Sequence, residues 1–172
     1  MPPPRRHLQV RRTVLVVVEG DTEFAFCRYL KANGSQGKNL QLVIRNANGG
    51  SADKIVEYAR RLIRQSAFDH VAIVLDDDQP IGPTGERNVR SLHAQLIRFQ
   101  PCIEGFFLRL MARAVPGDSA ACKRAFHEHG LGEKDKLDHE AYHRLFPLSD
   151  LDALKRNPQF AELWHLFTNE TP

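Results

Sequence analysis

Two short acidic stretches in this 172-residue chain carry side chains suited to chemistry: Glu19-Gly20-Asp21-Thr22-Glu23 and Asp76-Asp77-Asp78. Carboxylates gathered in one place repel, and each resists ionising unless a counter-charge is supplied. A hard divalent cation removes that conflict. Mg2+ suits carboxylate oxygens and usually keeps several of its waters. On extended backbone, Asp76 and Asp78 point to one side and Asp77 to the other, because side chains alternate. Gly20 permits a close backbone approach, and a helix starting just beyond it favours an anionic ligand. Together these features lead us to expect a metal site for phosphate chemistry.

Such a site needs elements that bring the two stretches together. Thr13-Val14-Leu15-Val16-Val17-Val18 and His70-Val71-Ala72-Ile73-Val74-Leu75 are continuous apolar runs rich in β-branched residues. Runs of this kind form strands buried on both faces, as in parallel sheets. Glu19 ends the first run and Asp76 the second. A shorter strand is expected over residues 40–44. Helices are expected over 23–32, closed by Asn33-Gly34, and over 52–65, opened by the Asn48-Gly49-Gly50-Ser51 loop. A loop over 80–85 precedes helical patterning at 86–95. Residues 96–99 fit either the end of that helix or a fourth strand. An apolar helix is expected over 103–114. Alternating strands and helices indicate a parallel α/β sheet, and in open sheets of that kind sites form outside the carboxyl ends of the strands. The expected layout is a flexible basic arm at 1–12, an α/β domain at 13–115 and a mostly helical extension at 116–172 packed on it.

The acidic stretches also carry a family resemblance. Val17-Val18-Glu19-Gly20-Asp21-Thr22-Glu23 resembles the first motif of TOPRIM domains, in the form found in OLD-family nucleases and RloB-like proteins. Ile73-Val74-Leu75-Asp76-Asp77-Asp78 resembles the TOPRIM strand followed by its DxD motif. Pro101-Cys102-Ile103-Glu104-Gly105-Phe106-Phe107-Leu108 is similar to the RloB-like segment in which a Pro-Cys-aromatic-Glu stretch opens a helix. The resemblance covers residues 13–110. It implies a TOPRIM-like Rossmannoid fold, with a central, mainly parallel sheet flanked by helices. It also implies Mg2+- or Mn2+-dependent hydrolysis of nucleic-acid phosphodiesters, often within bacterial anti-phage systems. By position, Glu19, Asp76 and Asp78 would be metal ligands, and Glu23 and Glu104 additional or second-metal ligands. Glu19, Glu23, Asp76 and Asp78 would form the catalytic set. OLD-type sites also have a partnering lysine, for which Lys134 and Lys136 are candidates. Two departures stand out. Gln79-Pro80-Ile81-Gly82 replaces the acidic, glycine-containing continuation of topoisomerases and primases. Phe99-Gln100 stands where RloB-like members usually have Ser-Asn. A degenerate, non-enzymatic TOPRIM partner module is the alternative within the same resemblance.

A competing motif is His139-Glu140-Ala141-Tyr142-His143, which matches H-E-x-x-H. On a helix its two histidines would share a face, as a zinc hydrolase requires. Asp150, Asp152, Glu162 or His165 would have to supply the third ligand, and none has a diagnostic spacing. A solvated helix is the simpler account.

The charge distribution bears on partners. There are 24 basic and 21 acidic side chains, for a net charge of +3. Residues 1–12 hold Arg5, Arg6, Arg11 and Arg12 and no acid. Setting those four aside leaves 20 basic against 21 acidic residues, so the excess positive charge lies in the arm. The arm, together with Arg60, Arg61 and Arg64, would suit DNA or RNA phosphates. No apolar run approaches the ~18 residues that span a membrane. The opening Met1-Pro2-Pro3-Pro4-Arg5-Arg6 lacks the apolar core of a signal peptide. Cys27, Cys102 and Cys122 form no CxxC pair, which argues against a disulfide framework or a cysteine zinc knuckle. A cytoplasmic protein is expected. No Walker A motif occurs, so any ATPase would be a separate subunit. Self-association is open.

Overall fold

In the computed structural model, which describes residues 11–168, the valine-rich run becomes β1 (Arg12–Val18). Then follow α1 (Asp21–Gly34), β2 (Leu40–Asn46), α2 (Ala52–Gln65), β3 (His70–Asp76), α3 (Pro83–Ser91), β4 (Gln95–Phe99) and α4 (Ile103–Leu110). The chain continues through α5 (Ser119–His129), α6 (Tyr142–Leu145), α7 (Leu151–Leu154) and α8 (Pro158–Thr168), with short 3-10 turns between them. The four strands form one all-parallel sheet in the order β2-β1-β3-β4. Val16 aligns with Ile44 on one side and Ala72 on the other, and Val74 with Ile97.

Alternation along the strands separates two cores. Val14, Val16, Val18, Ala72, Val74, Ile97 and Phe99 face α1, α4, α5 and the C-terminal helices. Leu15, Val17, Val71, Ile73 and Leu75 face α2, with Val89 of α3 packed against the same core. Both faces of β1 and β3 are therefore covered, which is why their sequences read as unbroken apolar runs. The C-terminal helices share the first core. Phe26 of α1 packs at 4.9 Å from Phe107 of α4 and at 5.4 Å from Tyr142 of α6, measured between ring centres. Trp164 is buried against Phe160 of the same helix. No helix among the described residues is long and apolar enough to cross a membrane.

Several boundaries differ from expectation. Arg12 belongs to β1, its amide donating to Asn39 O at 3.1 Å, so the arm stops short of it. Residues 96–99 belong to a strand, because they pair in register with β3, and the helix before them ends at Ser91. The helix opened by Cys102 stops at Leu110 rather than near residue 114. There Ala112 takes a left-handed conformation (φ 54°), and the Arg113 amide bonds back to Leu108 O, which closes the helix. All three cysteines are free and buried.

Candidate metal centre

The sheet order decides where the acids meet. α1 leaves β1 on one face of the sheet, and α2 leaves its neighbour β2 on the other. The crevice between the ends of β1 and β3 is thus the place where the winding reverses, which is where open α/β sheets bind ligands. Glu19 follows β1, Asp76 ends β3, Glu23 lies in the first turn of α1, and Glu104 in the first turn of α4.

Backbone hydrogen bonds hold these carboxylates. Glu19 Oε2 accepts from the Asp76 amide at 3.1 Å. Asp76 Oδ1 accepts from the Ile103 amide, the first of α4, at 2.9 Å. Glu23 Oε2 accepts from the Gly20 amide at 3.1 Å, half of a capping box. A Cβ on Gly20 would stand 3.2 Å from that same oxygen, so glycine lets the carboxylate fold back over the turn. Asp77 turns away to Arg98, 2.8 Å from its Nε. Asp78 stays exposed at the rim and accepts from Ser119 Oγ at 3.1 Å.

The inner acids are almost wholly out of water. Asp76 is 7% exposed, Glu23 5% and Glu104 2%. Glu104 Oε2 has no hydrogen-bond partner. Burial, followed by repulsion from Glu23, Glu19 and Glu104, pushes the Asp76 carboxyl far above the usual range, although the Ile103 amide opposes this. Burial also raises Glu23, with Glu104 and Glu19 adding to it. Glu19 is raised by burial and by Asp78, against the opposing hydrogen bond from Asp76 and the charge of Lys123. A buried charge cluster with so little compensation is costly without a cation.

Three further groups stand at this edge; Cys102 belongs to the Pro-Cys stretch, whereas Lys123 and Ser119 have no signature in the local sequence. Lys123 of α5 faces the cluster. Partial burial weakens its charge, but Glu104, Asp76, the Cys102 thiol and Asp78 outweigh that and hold its pKa above the ordinary value. Cys102 caps α4 at the base of the crevice, with its thiol pushed up to about 12 by burial. Ser119 opens α5 beside Asp78. Gly105 lets α5 come this close, since a Cβ there would lie 3.3 Å from Cys122 Sγ and 2.9 Å from Pro101 Cδ. Among the described residues, Asp76, Cys102 and Glu104 form a trio whose ligand atoms all lie within 4.8 Å of one another.

The remaining expected residues lie elsewhere. Lys136 is 3.0 Å from Glu133 and is held in that ion pair, and Lys134 is exposed at the start of the same turn. Of these three lysines, Lys123 is the one that feels the charges of Glu104, Asp76 and Asp78. Arg11 and Arg12 are exposed at the opposite end of β1 from Glu19, about 20 Å away for a strand of this length. Phosphate contact at the crevice is therefore not theirs to make. Arg5 and Arg6 lie outside the described residues. The H-E-x-x-H stretch is no continuous helix: a 3-10 turn (His139–Ala141) precedes α6. Glu140 sits between its histidines, 3.0 Å from His139 Nε2 and 3.8 Å from His143 Nε2, and His143 packs edge-on against Tyr29.

Comparison with protein families, curated proteins and solved structures returns no match for this chain.

Proposed function

We propose that the chain is a TOPRIM-like, Mg2+- or Mn2+-dependent nuclease that hydrolyses phosphodiester bonds of DNA or RNA. The observation that carries this reading is the convergence of Glu19, Glu23, Asp76 and Glu104 at one crevice, largely buried, with a partnerless oxygen on Glu104. An oxygen-rich donor set of this kind fits a hard divalent ion. Glu19, Asp76 and Asp78 would hold it, with Glu23 and Glu104 completing the set. A bound ion supplies Lewis-acid activation of water and of a phosphoryl oxygen.

The chain's own groups do the rest. The Asp76 amide fixes the Glu19 carboxylate and the Ile103 amide fixes that of Asp76, so neither has to be ordered when substrate arrives. Ser119 holds Asp78 at the entrance. Lys123 brings a positive charge to the acids and is the side chain placed to meet a phosphate there. The start of α4 adds the partial positive charge of its N-terminal amides, the first of which holds Asp76. In the cell, the resemblance points to an anti-phage defence system in the cytoplasm, beside a separate ATPase.

The test is calorimetric titration with Mn2+ on wild type and Asp76→Ala, each checked for fold by circular dichroism, followed by a cleavage panel of single- and double-stranded DNA and RNA. Asp76→Ala is expected to lose metal binding and to cut about 100-fold more slowly or worse. Equal binding by both proteins would remove the assigned site. A metal-loaded wild type that cuts no member of the panel would leave the non-enzymatic partner module in its place.

A further inference from the structure

The crevice mixes sulfur with oxygen at its most buried corner. Glu19 and Asp78 lie towards solvent, whereas Asp76, Cys102 and Glu104 are buried. The ligand atoms of those three fall within 4.8 Å of one another. One ion with bonds of about 2.0–2.3 Å holds ligand atoms at most about 4.6 Å apart, so small side-chain movements would bring the three onto it. A buried thiol is ordinarily a small apolar filler, and Cys122 and Leu108 do pack with Cys102. Packing does not account for Glu104, which is 2% exposed and leaves Oε2 without a partner. A buried carboxyl oxygen in that condition calls for a ligand. The Cys102 thiol lies 3.9 Å from Ser119 O and also meets the Gly105 amide and the Glu104 side chain, so it already borders the carboxylate with which it would share an ion.

Resting on the reading of this edge as a metal centre, we propose that Asp76, Cys102 and Glu104 form an inner site of two oxygens and one sulfur. It selects a borderline divalent transition ion of the Co2+ or Zn2+ kind over Mg2+. Thiolate is a poor partner for Mg2+ and a good one for such ions. On binding, the Cys102 thiol gives its proton to solvent and its sulfur lone pair to the ion, with no change of oxidation state. Glu104 Oε2 gains the partner it lacks. The outer carboxylates of Glu19 and Asp78 remain a hard, oxygen-only edge. The centre therefore offers two chemically different positions, which share Asp76.

Co2+ is the probe, added to the reduced, metal-stripped full chain. A near-ultraviolet thiolate-to-cobalt charge-transfer band is expected, and it should persist in excess Mg2+. The Cys27→Ala/Cys122→Ala double variant leaves Cys102 as the sole thiol and should retain the band; Cys102→Ser should lose it. Cobalt binding seen by calorimetry without the band, or a band that survives Cys102→Ser, or one lost from the double variant while it stays folded, would overturn the inner site. The first of these leaves an oxygen-only metal centre standing, and the other two move the thiolate ligand to Cys27 or Cys122. Absence of any cobalt, manganese or magnesium binding would defeat the metal centre as well. A band in a protein that cuts no nucleic acid would uphold the inner site and defeat the nuclease.

Discussion

Glu23 and Phe26 are one turn apart on α1, and Glu104 and Phe107 are one turn apart on α4, yet each helix serves opposite ends. The phenylalanines meet in a dense aromatic core, 4.9 Å apart between ring centres. The glutamates meet at the crevice, repelling each other and Asp76. The aromatic region is satisfied by the fold alone. The acidic region is crowded by the fold, and protonation or a bound cation would relieve it. The same two helices thus couple a source of stability to a store of instability, and their packing keeps the acids from drifting apart.

That contrast can be broken from either side. The largest effect is expected in the core: Phe26→Ala should destabilise the protein by about 3–5 kcal/mol, through lost burial and a residual cavity. Denaturant unfolding checks this, and a loss below 1 kcal/mol, roughly that of an exposed site, would mean that the aromatic cluster does not hold the two helices. The acidic side should respond in the opposite direction. Asp76, Glu23 and Glu19 have folded-state pKa values raised above those of the unfolded chain. The folded protein therefore holds extra protons once pH exceeds the ordinary carboxylate range. Their contribution is complete below that range and is lost as pH rises through the folded values. Metal-free stability should fall over this window, by up to about 1.4 kcal/mol per pH unit for each extra proton. Glu104→Gln removes one of the repelling charges. It should flatten the slope and raise the metal-free melting temperature at pH 8. Melting temperatures across pH 5–9, with and without saturating Mn2+, measure both effects, and a metal-free slope that rises with pH contradicts the strained edge. The smallest effect is expected away from both regions. His139→Ala should change stability by about 0.5 kcal/mol or less and leave metal stoichiometry unaltered. Loss of a bound zinc ion on that substitution would revive the H-E-x-x-H reading.

Sequence patterning makes the acidic side legible because strand ends are local. Val14 to Val18 and Val71 to Leu75 declare buried parallel strands, and whatever follows them must lie at the sheet's carboxyl edge. Ser119 and Lys123 arrive by another route. They come from α5, brought in by Gly105 and the turn after Leu110, so no spacing relative to Glu19 or Asp76 marks them. Lys134 and Lys136 had as good a claim on composition, and only packing separates them from Lys123. Residues 96–99 show the same limit. Their apolar pattern suits a helix end or a strand, and pairing with β3 decides it. Net charge has no direction, and the sheet puts Arg11 and Arg12 at the far end of β1 from Glu19.

Asp76 uses both of its polar ends. Its amide donates to Glu19 and its carboxylate accepts from the start of α4. Three separate elements, β1, β3 and α4, are therefore linked in series through one residue. A ligand that drew Glu19 outward would act on the Asp76 backbone and, through its side chain, on the first turn of α4, the helix that carries Phe106 and Phe107.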